Sequence, residues 1–181
     1  MIRTKQIVTL VLLFIVVIGI TMCMCRVINA DEVSYDTHMH YIWNSCTDEQ
    51  RKYLPVEYQA AACGMTVYEF TYLARTVEAE SDRSSNIEAK TMIAAVIINR
   101  MNDSRFANSI AGVLNESGQF ETTYNGWCTI ESTVSSRWAV VEAQRSLTNG
   151  TIPNNVLYFN SIGYNRSWTY GYYGGNYFMC A

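Results

Sequence analysis

The sequence has little histidine and no cysteine pair of the metal-binding kind. Its 181 residues contain only two histidines, His38 and His40, and none of its six cysteines forms a C-x-x-C pair. A zinc site, and a Cys-His or Ser-His nucleophile, needs such residues within the folded part of the chain. The sequence therefore argues against a metal site and against amidase or peptidase chemistry of the thiol type, and it indicates no cofactor. We interpret both histidines as solvated residues of an N-terminal linker.

The chain also lacks a basic run that would bind a polyanion. The first thirty residues carry three cations, Arg3, Lys5 and Arg26, and no acids. Without those three, 10 of the 13 basic residues remain against 16 acidic residues, a net charge of about −6. This balance argues against nucleic-acid binding and against electrostatic adhesion to anionic polymers.

One long apolar run is present, from Ile7 to Met24, directly after Arg3 and Lys5. A positive start followed by an apolar stretch is typical of a membrane-directed segment. Its length lies between a signal-peptide core and a bilayer span. We therefore expect an exported protein whose residues 1–30 are either a cleaved signal peptide or an anchor that contacts the membrane through residues 7–24.

Four cysteines lie outside the membrane-directed segment. An even number in an exported domain favours disulfides, although the spacing does not choose among the three possible pairings. The four residues are Cys46, Cys63, Cys128 and Cys180.

The centre of the sequence is a pair of predicted helices. Thr66 and Glu69 form a capping-box pattern, and apolar residues at helical spacing predict a helix from Thr66 to Glu80. A polar stretch follows, and a second helix, apolar on more than one side, begins at about Ile87. Glu80 thus lies at the junction of the two helices, where the helix dipole and partial burial would raise its pKa and suit it to general-acid catalysis. The alternative is a solvated helix end.

The flanking regions predict a mainly helical α+β domain with a small β element. Residues 31–64 are interpreted as a linker and leading helical segment, with short helices from Asp48 and from Val56 to Cys63. A further helix is predicted from Thr133 to Leu147, and short strands at Val156–Asn160 and Tyr177–Met179.

Several separated motifs resemble the cell-wall hydrolase family of the spore cortex-lytic enzymes. They cover roughly residues 65–178, occur in the family's order, and are Leu73-Ala-Arg-x-Val-x-x-Glu80, the helix ending in A-A-V-I-I-N-R at Arg100, Phe106–Leu114, Gly118-Gln-Phe120, Leu157–Asn160, Trp168 and Gly174–Phe178. The resemblance implies a lysozyme-like catalytic domain over residues 65–181, with Glu80 as the catalytic glutamate. It further implies cleavage of peptidoglycan glycan strands, in a vegetative wall or in a germinating spore's cortex.

The resemblance also implies a lytic transglycosylase, which uses a single acid and leaves a 1,6-anhydro end. A hydrolysing muramidase would need a second carboxylate. The candidates for it are Glu78, Asp82, Glu88 and Glu121, although Glu78 points to a different face of the helix from Glu80. The third possibility is a non-catalytic wall-binding protein of the same fold.

Two further stretches suggest a saccharide-binding wall. In folds of the kind that this family resembles, the region after Gly118 lines the sugar cleft, and a later stretch interleaves glycines with aromatic rings that could stack on pyranose faces. The candidate substrate-binding residues are Gln119, Glu121, Tyr124, Trp168, Tyr172, Tyr173 and Asn176, the last of which stands where relatives commonly have His. The alternative is that these aromatic residues simply close over the core.

Overall fold

In a computed structural model of the chain, the structure describes residues 35–81, 86–120, 129–163 and 168–181. The chain divides into two compact units, residues 1–38 and residues 39–181. Only the start of one helix, at residues 35–38, is described for the first unit. The fold and the site described below belong to the second unit.

Three short helices lead the chain. They are α1 (Tyr35–Ser45), α2 (Asp48–Arg51) and α3 (Val56–Ala62). The predicted helices at Asp48 and Val56 are confirmed, but α1 lies where the sequence predicts a linker. The reason is that, over residues 37–45, Met39 is the one buried side chain and Tyr41 is 71% exposed, so this part of the helix shows no apolar stripe.

The two central helices are α4 (Val67–Glu80) and α5 (Ile87–Asn102). Thr66 and Glu69 close the predicted capping box on α4, and the Asn86 side chain caps α5 by accepting a hydrogen bond from the amide of Ala89. Residues 89–100 of α5 are all buried, as expected for a helix at the centre of a core. Both predicted helices are confirmed.

Two more helices and a sheet pack around α5. The helices are α6 (Ile110–Leu114) and α7 (Val134–Thr148), and the strands are β1 (Val156–Asn160), β2 (Thr169–Tyr173) and β3 (Asn176–Cys180). β3 lies between β1 and β2 and is antiparallel to both. Among the described residues this is a mainly helical domain with one three-stranded sheet, as the sequence predicts.

The sequence correctly predicts the first and last strands but not β2. Its residues belong to the stretch of interleaved glycines and aromatic rings, for which the sequence predicts a saccharide-binding wall but no strand. Gly174 and Gly175, with φ of 53° and 85°, form the tight turn that folds β2 back onto β3. The strand thus depends on this turn and on its partner.

The predictions of a membrane segment and of disulfides have different outcomes. In the described part of the chain no helix has the length and apolar character needed to cross a bilayer, and the predicted membrane segment, residues 7–24, lies outside that part. The prediction of disulfides among Cys46, Cys63 and Cys180 is wrong, because all three are free thiols carried at the ends of different elements. Cys128 lies outside the described residues.

Candidate active site

Glu80 is the last residue of α4 and lies on the inward side of that helix. At about 100° per residue, its side chain projects within about 40° of those of Leu73 and Thr76. Both of these side chains are fully buried, and Glu80 itself is half-buried. The carboxylate therefore stands at the end of the helix's core-facing stripe, which differs from the outward, solvated helix end of the alternative interpretation.

The backbone turns away from the helix immediately after Glu80. Ser81 has an extended conformation, with φ −89° and ψ 140°, and its amide donates the closing hydrogen bond of the helix to Val77 O at 3.1 Å. Glycine in a left-handed conformation commonly closes a helix, but none does so here. The last turn of α4, which carries Glu80, must therefore be fixed by side chains.

Those side chains form a polar cluster around Glu78, in which Lys90 and Ser136 are buried and Thr133 is exposed. The Glu78 carboxylate accepts hydrogen bonds from Lys90 Nζ at 3.0 Å, from Thr133 Oγ1 at 2.7 Å and from Ser136 Oγ. Lys90 also donates to Ser136 Oγ at 3.1 Å. The side chains of Glu78 and Lys90 are only 11% and 5% exposed. We call these four residues the Glu78 cluster, and it joins α4 to α5 and α7.

The environment of Glu78 keeps it ionised. Burial by itself would raise the pKa of the Glu78 carboxyl, but hydrogen bonds from Ser136, Thr133 and Lys90 outweigh burial and lower it. Glu78 and Glu80 project about 160° apart around α4, as the sequence predicts from their spacing. The Glu78 carboxylate is thus an anion whose hydrogen bonds are formed on nearly the opposite side of α4 from Glu80.

A second ion pair fixes the segment that precedes α7. Arg75 of α4 donates from Nη2 to the Glu131 carboxylate at 2.5 Å. Together with the Thr133–Glu78 hydrogen bond, this contact lays residues 131–133 along α4. Sequence reasoning missed Arg75, Lys90 and Ser136. The sequence signal that could have revealed the cluster is a lysine within the largely apolar run of α5, because a buried cation needs a partner.

Gln119 lies near the C-terminal end of α5, away from the Glu78 cluster. It is exposed, and its Oε1 accepts a hydrogen bond from Arg100 Nη1 at 2.9 Å. Arg100 lies ten residues beyond Lys90 on α5, about 15 Å along the helix. Phe120 is fully buried, so it is a core residue. The structure therefore ties Gln119 to Arg100 rather than to the end of α4.

The aromatic residues of the sheet divide between surface and core. Trp168 and Tyr172 are 59% and 58% exposed, and the Tyr172 ring lies 4.6 Å from that of Tyr177. Tyr173 is half-buried and packs edge-on against Phe178 at 5.9 Å, which is the core alternative. Asn176 is half-buried at the start of β3. Two further candidates, Glu121 and Tyr124, lie outside the described residues.

An open pocket of about 380 Å³ lies between α5, α7 and β2. It brings together two candidates from the sequence, Glu88 and Tyr173, and it is also lined by Trp138 and Tyr170. Glu80 is not part of its lining. Within the described ranges no three His, Cys, Asp or Glu side chains lie close enough together to hold a metal ion.

This mainly helical body with a small antiparallel sheet matches a class of cell-wall lytic enzymes. Residues 84–177 match the family model for Cell Wall Hydrolase, just over half of the sequence, and the chain belongs to that family. The matched residues begin four positions after Glu80, so they do not include it.

Relatives and solved structures agree with this family. The chain is 33% identical over 110 residues to the spore cortex-lytic enzyme of Bacillus subtilis strain 168, and 30% identical over 107 residues to that of Oceanobacillus iheyensis. These alignments cover 60% and 58% of the chain, but it spans only 34% and 37% of the relatives' lengths.

The chain resembles the catalytic domain of the germination-specific lytic transglycosylase SleB from Bacillus anthracis, with a TM-score of 0.53 and 25% identity. The SleB catalytic domain from Bacillus cereus gives a TM-score of 0.54 at the same identity. The two matches cover 64% and 63% of the chain, and 97% and 91% of the solved domains. The family resemblance predicted from the sequence is confirmed.

Proposed function

We propose that the protein is a lytic transglycosylase that cleaves peptidoglycan glycan strands between N-acetylmuramic acid and N-acetylglucosamine, with Glu80 as its general acid and base. The observation that carries this proposal is the position of Glu80, half-buried on the inward stripe of α4 at the junction with α5. Partial burial and the negative end of the helix both favour a protonated carboxyl, which is the form that a general acid needs.

The proposed reaction needs only this one acid. Glu80 protonates the glycosidic oxygen, the bond from that oxygen to C1 of the muramic acid breaks, and positive charge develops on the sugar ring. The Glu80 carboxylate then takes the proton of the muramic acid's own 6-hydroxyl as that oxygen bonds to C1. The products are an N-acetylglucosamine end and a 1,6-anhydro-muramic acid end, with no water consumed.

The engagement of Glu78 supports a transglycosylase over a hydrolysing muramidase. A muramidase places a second carboxylate beside the sugar. Of the candidates, Glu78 is engaged by Lys90 and two hydroxyls away from Glu80, and Glu88 lies at a pocket that Glu80 does not line. Asp82 and Glu121 lie outside the described residues, so the muramidase alternative now depends on those two.

The exposed rings at the sheet fit a saccharide-binding wall. Trp168 and Tyr172 present more than half of their surface to solvent, so their faces could stack on sugars. Glu121, Tyr124, Gln119, Tyr173 and Asn176 are further proposed contacts. An exported protein, secreted to the wall or anchored at the outer face of the membrane, would meet such strands.

Mass spectrometry of the soluble fragments released from purified peptidoglycan tests the proposal. We expect the wild-type protein to release fragments with anhydro-muramic ends, which are lighter by one water than hydrolysis products. Glu80→Gln should release none, because the amide is far too weak an acid to protonate the glycosidic oxygen, whereas Glu69→Gln, the same change at the other end of α4, should act like the wild type. Vegetative wall and cortex containing muramic lactam should be compared as substrates.

Each other outcome points to a different conclusion. Reducing muramic ends from the wild type would identify a muramidase, and Asp82→Asn and Glu121→Gln would then be tested for the second carboxylate. Full activity in Glu80→Gln would refute the assigned acid. Retention of the protein on both walls without any release would favour a wall-binding protein.

A further inference from the structure

On one side, hydrogen bonds and an ion pair attach the last turn of α4 to α5 and to the start of α7. The proposed reaction does not use the charged and polar groups that form them. Glu78 lies in the same turn as Glu80 and reaches Lys90 on α5 and both Thr133 and Ser136 at the start of α7. Ser136 is fully buried, and neither Glu78 nor Lys90 is more than 11% exposed. Glu78, Lys90 and Ser136 are therefore shielded from solvent, where hydrogen bonds hold a side chain most firmly, whereas Thr133 is exposed.

Three helix ends meet at the cluster, and the start of α7 favours the Glu78 anion, whereas the end of α4 disfavours it and the start of α5 disfavours the Lys90 cation. Thr133 is the N-cap of α7, so the Glu78 carboxylate lies at the positive end of that helix dipole. Lys90 lies in the first turns of α5, where a cation is unfavourable unless an anion accompanies it. Glu78 supplies that anion, and its lowered pKa keeps it charged at neutral pH.

The backbone near Glu80 depends on the same residue. Ser81 Oγ donates to the carbonyl oxygen of Glu78 at 3.3 Å, and the Ser81 amide closes the helix at Val77 O. No glycine caps this helix. Among the described contacts, the hydrogen bonds and ion pair of the Glu78 cluster are therefore the strongest interactions that hold its last turn in place.

We propose that Glu78 is a positioning residue that fixes the last turn of α4 through Lys90, Thr133 and Ser136 and so holds Glu80 in its reactive place. This inference rests on the proposed function of Glu80. Displacement of a catalytic group by about 1 Å can lower a rate by about 10²-fold. Loss of the tie should therefore lower kcat while leaving KM nearly unchanged, since the described side-chain contacts of Glu78 are to Lys90, Thr133 and Ser136 and not to the described residues of the proposed binding wall.

The test compares three variants of the whole chain with the wild type. Glu78→Gln should lower kcat for release of soluble glycan by roughly 10- to 100-fold, with KM within about threefold. The double variant Glu78→Leu/Lys90→Met removes both charges, so it should regain stability, but without the hydrogen bonds to α7 its kcat should stay low. Glu69→Gln, on the same helix, should match the wild type in kcat and KM and lose little in Tm, because glutamine can also complete the capping box with Thr66.

A second readout does not depend on activity. Hydrogen exchange at the amides of residues 77–81 should be faster in Glu78→Gln and in the double variant than in the wild type and Glu69→Gln. A double variant whose kcat recovers together with its Tm would overturn the inference, because Glu78 would then act only through stability. Unchanged exchange at residues 77–81 would overturn it as well. A wild type that releases no glycan would refute the proposed function, and the exchange result would still decide whether Glu78 fixes this turn.

Discussion

At the scale of single residues, Cys63 shows how burial sets the reactivity of a thiol. It is 7% exposed within the hydrophobic core, and burial raises its pKa to about 12. Thiolate is the reactive form, so the buried thiol should be inert near neutral pH. We expect alkylation of the native protein to modify Cys46 and spare Cys63, as measured by peptide mapping, and modification of both in urea. Rapid labelling of native Cys63 would contradict this burial.

Replacement of Arg100, a buried cation, should lower the free energy of unfolding substantially. The residue is 5% exposed, and its guanidinium donates to Leu157 O at 2.7 Å and to Gln119 Oε1 and lies over the rings of Phe106, Phe120 and Tyr158. Lysine keeps the charge but not the planar fork or the stacking. We therefore expect Arg100→Lys to lower the free energy of unfolding by about 2–4 kcal/mol.

Urea denaturation measures that loss, and Arg105→Lys is its matched control. Arg105 is half-exposed at the surface and pairs with Asp103, so its replacement should change stability by less than about 1 kcal/mol. Equal losses in the two variants would mean that the buried contacts of Arg100 contribute little.

At the scale of single elements, the tie between α4 and its neighbours should depend on pH. The pKa of Glu78 lies below its ordinary value of 4.5 in the folded protein, so its contribution to stability is complete above that value. The contribution is lost as the pH falls from 4.5 through the lowered pKa, since protonation then removes the anion that Lys90 needs.

The comparison of wild type with Glu78→Gln isolates this effect. At pH 7 the variant leaves Lys90 buried without its anion, and we expect it to be less stable by about 3 kcal/mol. Below pH 4.5 the difference should shrink, because the wild type then lacks the same anion. Unfolding free energies from urea titrations at several pH values measure the difference, and a difference that stays constant would show that charge is not what Glu78 contributes.

The elements that the sequence predicts well are those with local signals. The capping pattern of Thr66 and Glu69 and the apolar spacing after Ile87 fix α4 and the start of α5 to within a residue, and with them the position of Glu80 at their junction. β2 depends on pairing with β3, and α1 has one buried side chain over residues 37–45, so neither shows a periodic pattern. Local patterns therefore determine where Glu80 lies.

The surroundings of Glu80 could not be predicted in the same way. The Glu78 cluster joins residues 12 and 58 positions apart, and the link between Arg100 and Gln119 spans 19. Such contacts follow from how the helices pack, which no spacing in the sequence reports. The free state of Cys46, Cys63 and Cys180 likewise follows from their separate places in the fold, whereas an even count suggested pairing.

At the scale of the whole molecule, the leading helices belong to the compact unit that carries Glu80. That unit begins at Met39, whereas the catalytic domain predicted from the sequence begins at residue 65 and the family match at residue 84. Trp43 of α1 packs on Trp138 of α7 at 6.4 Å between ring centroids, and Ala60 and Cys63 at the end of α3 are part of the core. These contacts are mostly apolar, so they should contribute more than the surface ion pairs beside them.

Truncation separates the two contributions. A chain that begins at Met65 should be less stable than one that begins at Met39 by at least about 3 kcal/mol, because loss of Trp43 and of the α3 contacts exposes Trp138 and opens the core. By contrast, Asp48→Asn in the longer chain, which breaks the half-exposed pair with Arg145, should cost less than about 1 kcal/mol. Urea denaturation compares all three. If the shorter chain were as stable as the longer one, the leading helices would be an accessory to the domain. If instead Asp48→Asn lost as much as the truncation, the attachment would be ionic, and its strength would fall with added salt.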